Sequence, residues 1–114
     1  MKRGEVWKIS PTPISGTAKP RSHPGIIVSV DALGAIPMKI VVPVTEWKER
    51  YAIAPWMVRL QPDLQNNLSN NSCADTFQVQ LIPAGRFVQR LGKISEGKLK
   101  EIDQALLEVL GIEV

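Results

Sequence analysis

The fold of this chain is decided by RGEVW at residues 3–7, PGIIVS at 24–29 and VPVT at 42–45. Valine, isoleucine and tryptophan are prominent in these runs, and such residues favour β-strands. The segment Pro11–Pro24 between the first two runs holds four of the nine prolines, so we expect a loop there. Loops of that length in compact domains are often functional, and polar groups at strand ends are held rigidly while they face a ligand.

The rest of the chain can be divided in the same way. We expect these elements: strands Gly4–Ile9, Gly25–Val30 and Met38–Val44, a turn Asp31–Pro37, a polar segment Thr45–Ala54, strands Trp56–Leu60 and Cys73–Leu81, a break at 83–85, and a helical turn or strand Arg86–Leu91. Ser95 suits the N-cap of a final helix and Gly111 suits its end. Between them, apolar residues recur at helical spacing: Leu99, Ile102, Leu106, Val109 and Leu110.

These elements predict a mainly β domain with a C-terminal α-helix, folded as a small SH3-like antiparallel β-barrel over residues 1–114. The composition agrees with one globular domain, because 44% of the residues are apolar and 22% are charged. The single cysteine, Cys73, excludes an internal disulfide framework. With no secretory signal and no long apolar run at the level of sequence, we expect a soluble cytoplasmic protein.

The net charge of +3 is distributed unevenly along the chain. Residues 1–60 carry nine Lys/Arg against four Asp/Glu, and residues 61–114 carry five against seven. The strand-rich half is therefore the basic one, which suits a polyanion such as RNA or DNA, or an acidic protein. A solvated basic surface without a partner is the alternative.

The order of these runs resembles the MazF/PemK family of toxins. The likeness extends over almost the whole chain, and a fourth stretch supports it: RF at 86–87, LGKIS at 91–95 and KLKEIDQAL at 98–106. The barrel of that family is similar to the CcdB-type barrel of gyrase poisons. The resemblance implies a homodimeric endoribonuclease that needs no metal or other cofactor. Such enzymes cleave single-stranded RNA at short sequences and are inhibited by a cognate antitoxin.

The resemblance also implies where the catalytic residues lie. Where the family usually has Arg before the second-strand proline, this chain has His23, with Arg21 two residues upstream. A histidine can act as acid or base near neutral pH, and a guanidinium suits a phosphate. Thr45 matches the second catalytic position, where its hydroxyl can bind a phosphate oxygen, although a structural cap is the alternative. The family's Cys-Asp-Gln and basic residue are represented here by Asp75 alone.

Asp75 has several possible roles: it can orient His23 or a basic side chain, contact a base edge, or pair with a backbone donor. For RNA binding we expect a set of basic and aromatic residues: Lys19, Trp47, Lys48, Arg50, Tyr51 and Arg86. Aromatic side chains stack on unpaired bases, and basic ones bind the backbone. Trp56 and Phe77 can also stack, but we expect them in the core. Trp7 is expected in the core or at a dimer interface.

A non-catalytic binding module of the same fold is the competing hypothesis. The substitution of His23 for the family's Arg motivates it, and a degenerate toxin or a gyrase poison would fit. A gyrase poison is expected to bind its target through the end of its C-terminal helix, often with a tryptophan there. This chain ends LGIEV at residues 110–114, which argues against that version.

Overall fold

The computed structural model describes residues 1–11 and 21–113. These residues form seven β-strands and one α-helix: β1 Glu5–Ile9, β2 His23–Ile27, β3 Met38–Glu46, β4 Met57–Leu60, β5 Ser72–Asp75, β6 Gln80–Pro83, β7 Phe87–Lys93 and α1 Glu96–Leu110. Short 3₁₀ turns lie between them, at Asp31–Leu33, Glu49–Ile53, Thr76–Gln78 and Ala84–Arg86. The predicted mainly β fold with a C-terminal helix is confirmed.

All strand pairs are antiparallel, and β3 is the strand on which the sheet is built. Its nine residues pair with β6 over Met38–Val41, with β2 over residues 41–43 and with β5 over Val44–Glu46. The order along the main path is β4-β5-β3-β2-β1-β7. Different parts of one long strand therefore support three short partners.

The strongly paired antiparallel sheet is open at one side. Within the described residues, β4 and β7 end the path without pairing with each other. The loop between β4 and β5 fills the gap. The Lys93 amide donates to the Gln65 carbonyl at 2.9 Å, and Asn67 Nδ2 donates to the Leu91 carbonyl at 2.6 Å. Because a loop satisfies part of the β7 edge, no further strand is needed there.

Helix α1 covers one face of the sheet and encloses the main core. The buried core residues are Val6, Ile26, Val42, Val44, Val58, Leu60, Leu68, Ala74, Ile94, Ile102 and Ala105. Both predicted ends of the helix are confirmed. Ser95 Oγ accepts a hydrogen bond from the Lys98 amide at 3.2 Å. Gly111 ends the helix with φ of 70°, a left-handed conformation that favours glycine.

The predicted strand Cys73–Leu81 is in fact two strands, β5 and β6, separated by a 3₁₀ turn. Asp75 begins that turn, because its carboxylate accepts a hydrogen bond from the Phe77 amide at 3.1 Å. Sequence alternation alone does not reveal such a local side-chain bond. For Arg86–Leu91 the sequence predicts either a helical turn or a strand. In the structure a 3₁₀ turn ends at Arg86, and β7 follows it.

Candidate functional site

The sheet has one face under α1 and one face turned away from it. Val44 of β3 and Val58 of β4 both pair with Ala74 of β5, and all three residues are buried in the core under α1. Side chains alternate along a strand, so the next row across β3, β5 and β4 belongs to the other face. That row is Thr45, Cys73 and Arg59. We call the face that carries this row the site face.

A cleft of about 310 Å³ lies beside this row. Its lining residues are His23, Pro43, Val44, Thr45, Asp75, Gln78 and Gln80. A second cleft of about 240 Å³ shares Val44 and Thr45 with it. Three predicted catalytic residues, His23, Thr45 and Asp75, therefore line one cleft, although they come from β2, β3 and β5.

His23 is the first residue of β2, two residues before the predicted start of that strand, because it pairs with Ile9 of β1. The side chain is half-buried, and Nδ1 lies 3.1 Å from the Pro24 carbonyl oxygen. A carbonyl only accepts, so Nδ1 is the nitrogen that carries the hydrogen. In the neutral ring Nε2 is then the basic nitrogen, as a proton acceptor requires.

Asp75 is buried, with 6% of its surface exposed, and it organises the turn that follows β5. One carboxylate oxygen accepts from the Phe77 amide at 3.1 Å, and the other accepts from Gln78 Nε2 at 2.7 Å. Of the predicted roles, pairing with a backbone donor is therefore the one observed. A glutamine does accompany the aspartate, but it stands three residues along the chain, because the 3₁₀ turn brings Gln78 back to Asp75.

Cys73 separates Thr45 from Arg59 in the register of the sheet and is completely buried. Burial raises the pKa of its thiol, and the negative charge of Asp75 raises it further. The thiol is therefore neutral at ordinary pH and is a poor nucleophile. Its sulfur lies 3.8 Å from Met57 Sδ, as in a packed core.

Two other predicted cationic residues, Arg21 and Arg86, are not among the residues that line the cleft. Arg21 is exposed and is not among the described residues that line either cleft. Arg86 is half-buried, and its Nε donates to the Ser10 carbonyl at 2.8 Å, which ties β7 to the end of β1. Lys19 and most of the Pro11–Pro24 loop lie outside the described residues.

Aromatic and basic side chains lie close together beyond β3. The rings of Trp47 and Tyr51 meet edge to face with centroids 6.1 Å apart. The Arg50 guanidinium lies 5.1 Å from the Tyr51 ring centroid, and the Arg59 guanidinium lies 4.9 Å from that of Trp47. Lys48, which is exposed, lies between Trp47 and Tyr51 in the chain. This cluster presents π faces and positive charge together, an arrangement suited to single-stranded nucleic acid.

Trp56 and Phe77 are not core residues, so that prediction is wrong. Phe77 is 69% exposed and Trp56 is 38% exposed, because the 3₁₀ turn that replaces a continuous strand directs Phe77 outward. Their rings lie 6.1 Å apart at an angle of 55°. Trp7 is half-buried and meets Phe87 edge to face at 5.9 Å.

Sequence reasoning missed three residues of this surface: Arg59, Gln78 and Gln80. A signal existed for Arg59, since it is the polar residue between the apolar Val58 and Leu60 of a short strand. Gln80 can be placed only once its pairing with Val41 is known. In residues 1–11 and 21–113, no three His, Cys, Asp or Glu side chains cluster as metal ligands do, and no helix is long and apolar enough to cross a membrane.

The fold and cleft define a small β domain with a polar groove on the face opposite its helix. The sequence matches the family described as PemK-like, MazF-like toxin of type II toxin-antitoxin system over residues 2–110, and the chain belongs to that family.

Named relatives and a solved structure agree with this assignment. The chain is 30% identical to the probable endoribonuclease MazF of Mycolicibacterium smegmatis, over 98% of each chain. It is 28% identical to endoribonuclease MazF9 of Mycobacterium tuberculosis, over 93% of this chain and 92% of the relative. The fold matches an endoribonuclease solved with its cognate antitoxin from a mycobacterial species, with a TM-score of 0.76, 19% identity and coverage of 100% and 98%.

Proposed function

We propose that this protein is the toxin of a type II toxin–antitoxin pair and a sequence-selective endoribonuclease. It cleaves single-stranded RNA without a metal ion and leaves 2′,3′-cyclic phosphate and 5′-hydroxyl ends. The observation that carries the proposal is the meeting of His23, Thr45 and Asp75 in one cleft. Membership of the MazF-like family supports the same activity, since its two relatives reported above are named as an endoribonuclease and a probable endoribonuclease.

The cleft supplies groups for attack by the ribose 2′-hydroxyl on the adjacent phosphate. His23 Nε2 takes the proton of that hydroxyl as the new bond from the 2′-oxygen to phosphorus forms. The bond from phosphorus to the 5′-oxygen breaks, and the leaving oxygen takes a proton from water in the open cleft. Thr45 donates a hydrogen bond to a non-bridging oxygen, where negative charge develops. Arg21, exposed two residues before His23, adds positive charge as the RNA binds.

RNA cleavage in EDTA tests this proposal. A long single-stranded RNA is incubated with the wild type, His23→Ala and Thr45→Ala, and the 5′ ends are mapped. We expect discrete cuts by the wild type and a large loss of rate in both variants, with circular dichroism unchanged. Leu64→Ala is the matched control, because Leu64 is 96% exposed and lies outside both clefts. A folded wild type that makes no cuts favours the non-catalytic binding module.

A homodimer is part of the proposed function. Several large apolar side chains are exposed together beside a small apolar cavity of about 100 Å³, lined by Ser29, Leu33, Ile36, Met38, Ile40 and Leu81. Leu33, Ile36 and Leu81 are 54%, 48% and 56% exposed. Contiguous apolar surface of this kind marks an interaction site. In sedimentation equilibrium, Ile36→Glu is expected to shift the protein to monomer, whereas Leu64→Glu leaves the dimer intact.

The proposed partners are single-stranded RNA and a cognate antitoxin, and the proposed location is the cytoplasm. The positive charge of residues 1–60 supports an acidic antitoxin segment as the inhibitor. Stoichiometric antitoxin is therefore expected to abolish RNA cleavage at low salt and to lose potency as salt is raised. Unchanged cleavage in excess antitoxin would contradict this part of the proposal.

A further inference from the structure

We propose that Trp56, Phe77 and Gln78 form a nucleobase-binding subsite next to the cleft, which takes one unpaired base of the RNA. This inference rests on the proposed function, because it names a subsite for the same substrate. The subsite consists of two exposed aromatic rings and one amide whose orientation is fixed.

The exposure of the two rings needs an explanation. A phenylalanine that is 69% exposed beside a tryptophan that is 38% exposed presents aromatic surface to water in the free protein. The tilt of 55° between rings whose centroids are 6.1 Å apart leaves part of each π face accessible. A flat base covers such a surface by stacking.

The backbone that carries the two rings is anchored by hydrogen bonds of the turn Thr76–Gln78. Thr76 is completely buried, and its amide and hydroxyl both donate to the Trp56 carbonyl oxygen, at 3.2 and 2.7 Å. The Phe77 amide donates to Asp75 at 3.1 Å. Backbone anchors on both sides of the aromatic pair reduce the ordering cost of binding, which is how a preformed site gains affinity.

Gln78 connects the aromatic pair to the cleft. It is exposed and lines the cleft that holds His23 and Thr45. Its Nε2 donates to the Asp75 carboxylate at 2.7 Å, and a carboxylate accepts only, so the amide cannot reverse its orientation. The carbonyl oxygen and the second N–H hydrogen of Gln78 therefore remain available to a base edge, beside rings available to a base face.

A nucleobase fits this surface better than an apolar side chain of a protein partner does. A base offers a π face and a hydrogen-bonding edge in one rigid group. An apolar side chain would cover the rings. It would also displace water from the Gln78 carbonyl oxygen and leave that oxygen without a hydrogen-bond donor. The same turn contributes to both the cleft and the aromatic pair, so an RNA strand in the cleft passes directly beside the rings.

The test measures the affinity for an RNA that cannot be cleaved. A fluorescein-labelled oligonucleotide of the mapped cleavage sequence, 2′-O-methylated throughout, is titrated with wild type, Phe77→Ala, Phe77→Leu and the control Leu64→Ala. We expect Phe77→Ala to bind roughly 5- to 150-fold more weakly, as for the loss of one stacked base. Phe77→Leu is expected to show most of the same loss, because leucine keeps apolar bulk without a π face. Leu64→Ala is expected to bind as the wild type does.

Abasic oligonucleotides identify the stacked position. A single abasic site is moved along the strand. At one position we expect it to weaken RNA binding by the wild type and to remove the difference in affinity between the wild type and Phe77→Ala. If the variants bind every oligonucleotide as the wild type does, or if Phe77→Leu keeps full affinity, the subsite is overturned while the nuclease proposal stands. A wild type that neither cleaves nor binds RNA overturns the proposed function itself. Loss of antitoxin binding without loss of RNA binding in Phe77→Ala assigns the rings to the antitoxin and overturns the subsite.

Discussion

Thr45 and Arg59 pair with the same residue, Cys73, from its two sides, so the hydroxyl and the guanidinium share one face of the sheet. Neighbouring strands lie about 4.8 Å apart, which places Arg59 roughly 10 Å from Thr45 across the strands. An RNA strand that lies on Thr45 therefore has a cation within reach, in addition to the cationic residues of the loops.

Arg59→Ala is expected to weaken RNA binding more than it slows the chemical step. Arg59 is exposed and stacks at 4.9 Å on the Trp47 ring, so its loss removes both a charge and support for that ring. The slope of log affinity against log salt is expected to fall by about 0.7, the value for one phosphate contact on a single strand. Arg59→Lys is the control, since it should restore the salt slope but not the full affinity. An unchanged slope in Arg59→Ala would remove Arg59 from the interface.

Asp75→Ala is expected to destabilise the fold by about 1–3 kcal/mol, because it leaves the Phe77 amide without its buried acceptor. Urea denaturation measures the change in the free energy of unfolding. Gln78→Ala is the matched comparison, because it removes the second bond of Asp75 and leaves the backbone bond intact. It is expected to cost less stability than Asp75→Ala. Equal costs in the two variants would show that the backbone bond contributes little.

The Cys73 thiol is expected to resist alkylation in the folded protein at about pH 9, where an ordinary thiol is largely ionised. Burial and the Asp75 charge raise its pKa, so the folded state disfavours the thiolate. In the unfolded chain the Cys73 thiol ionises at its ordinary pKa. The free energy of unfolding is therefore expected to decrease as the pH rises above that ordinary pKa. Iodoacetamide labelling with and without denaturant, followed by mass spectrometry, measures the protection. Rapid labelling of the native protein would contradict the assignment.

Gly92→Ala is expected to prevent stable folding or to lower the stability sharply. A methyl group at Gly92 overlaps the Gln65 carbonyl, which is backbone and which also accepts a hydrogen bond from Lys93. Gly97→Ala in the first turn of α1 is the control, because nothing lies within 4 Å of its added carbon. It is expected to be neutral or to stabilise by about 0.5–1 kcal/mol. Thermal unfolding of the two variants provides the comparison.

The sequence predicted the elements whose signals are local and strong. Helix α1 has a serine cap, a glycine end and a helical period of apolar residues, and each of these acts within a few positions. The strands were also found, but the turn at Thr76–Gln78 was not, because its cause is a side-chain bond from Asp75 rather than a change in periodicity. Trp56 and Phe77 were assigned to the core by type, and hydrophobicity alone does not distinguish a buried ring from an exposed binding ring.

The site was predicted in part, for a similar reason. His23, Thr45 and Asp75 were found by their places in a family pattern, and they do line one cleft. Arg59 and Gln80 were missed because their positions depend on strand register, which links residues far apart in the chain.

The three-way pairing of β3 also constrains how this protein can evolve. One inserted or deleted residue near the end of β3 would exchange Val44 and Thr45 between the two faces, placing a hydroxyl in the core and an apolar group in the cleft. Substitutions along β3 can be absorbed one at a time, but changes in its length cannot. We therefore expect a deep mutational scan to tolerate many single substitutions between Met38 and Glu46 but no insertion there.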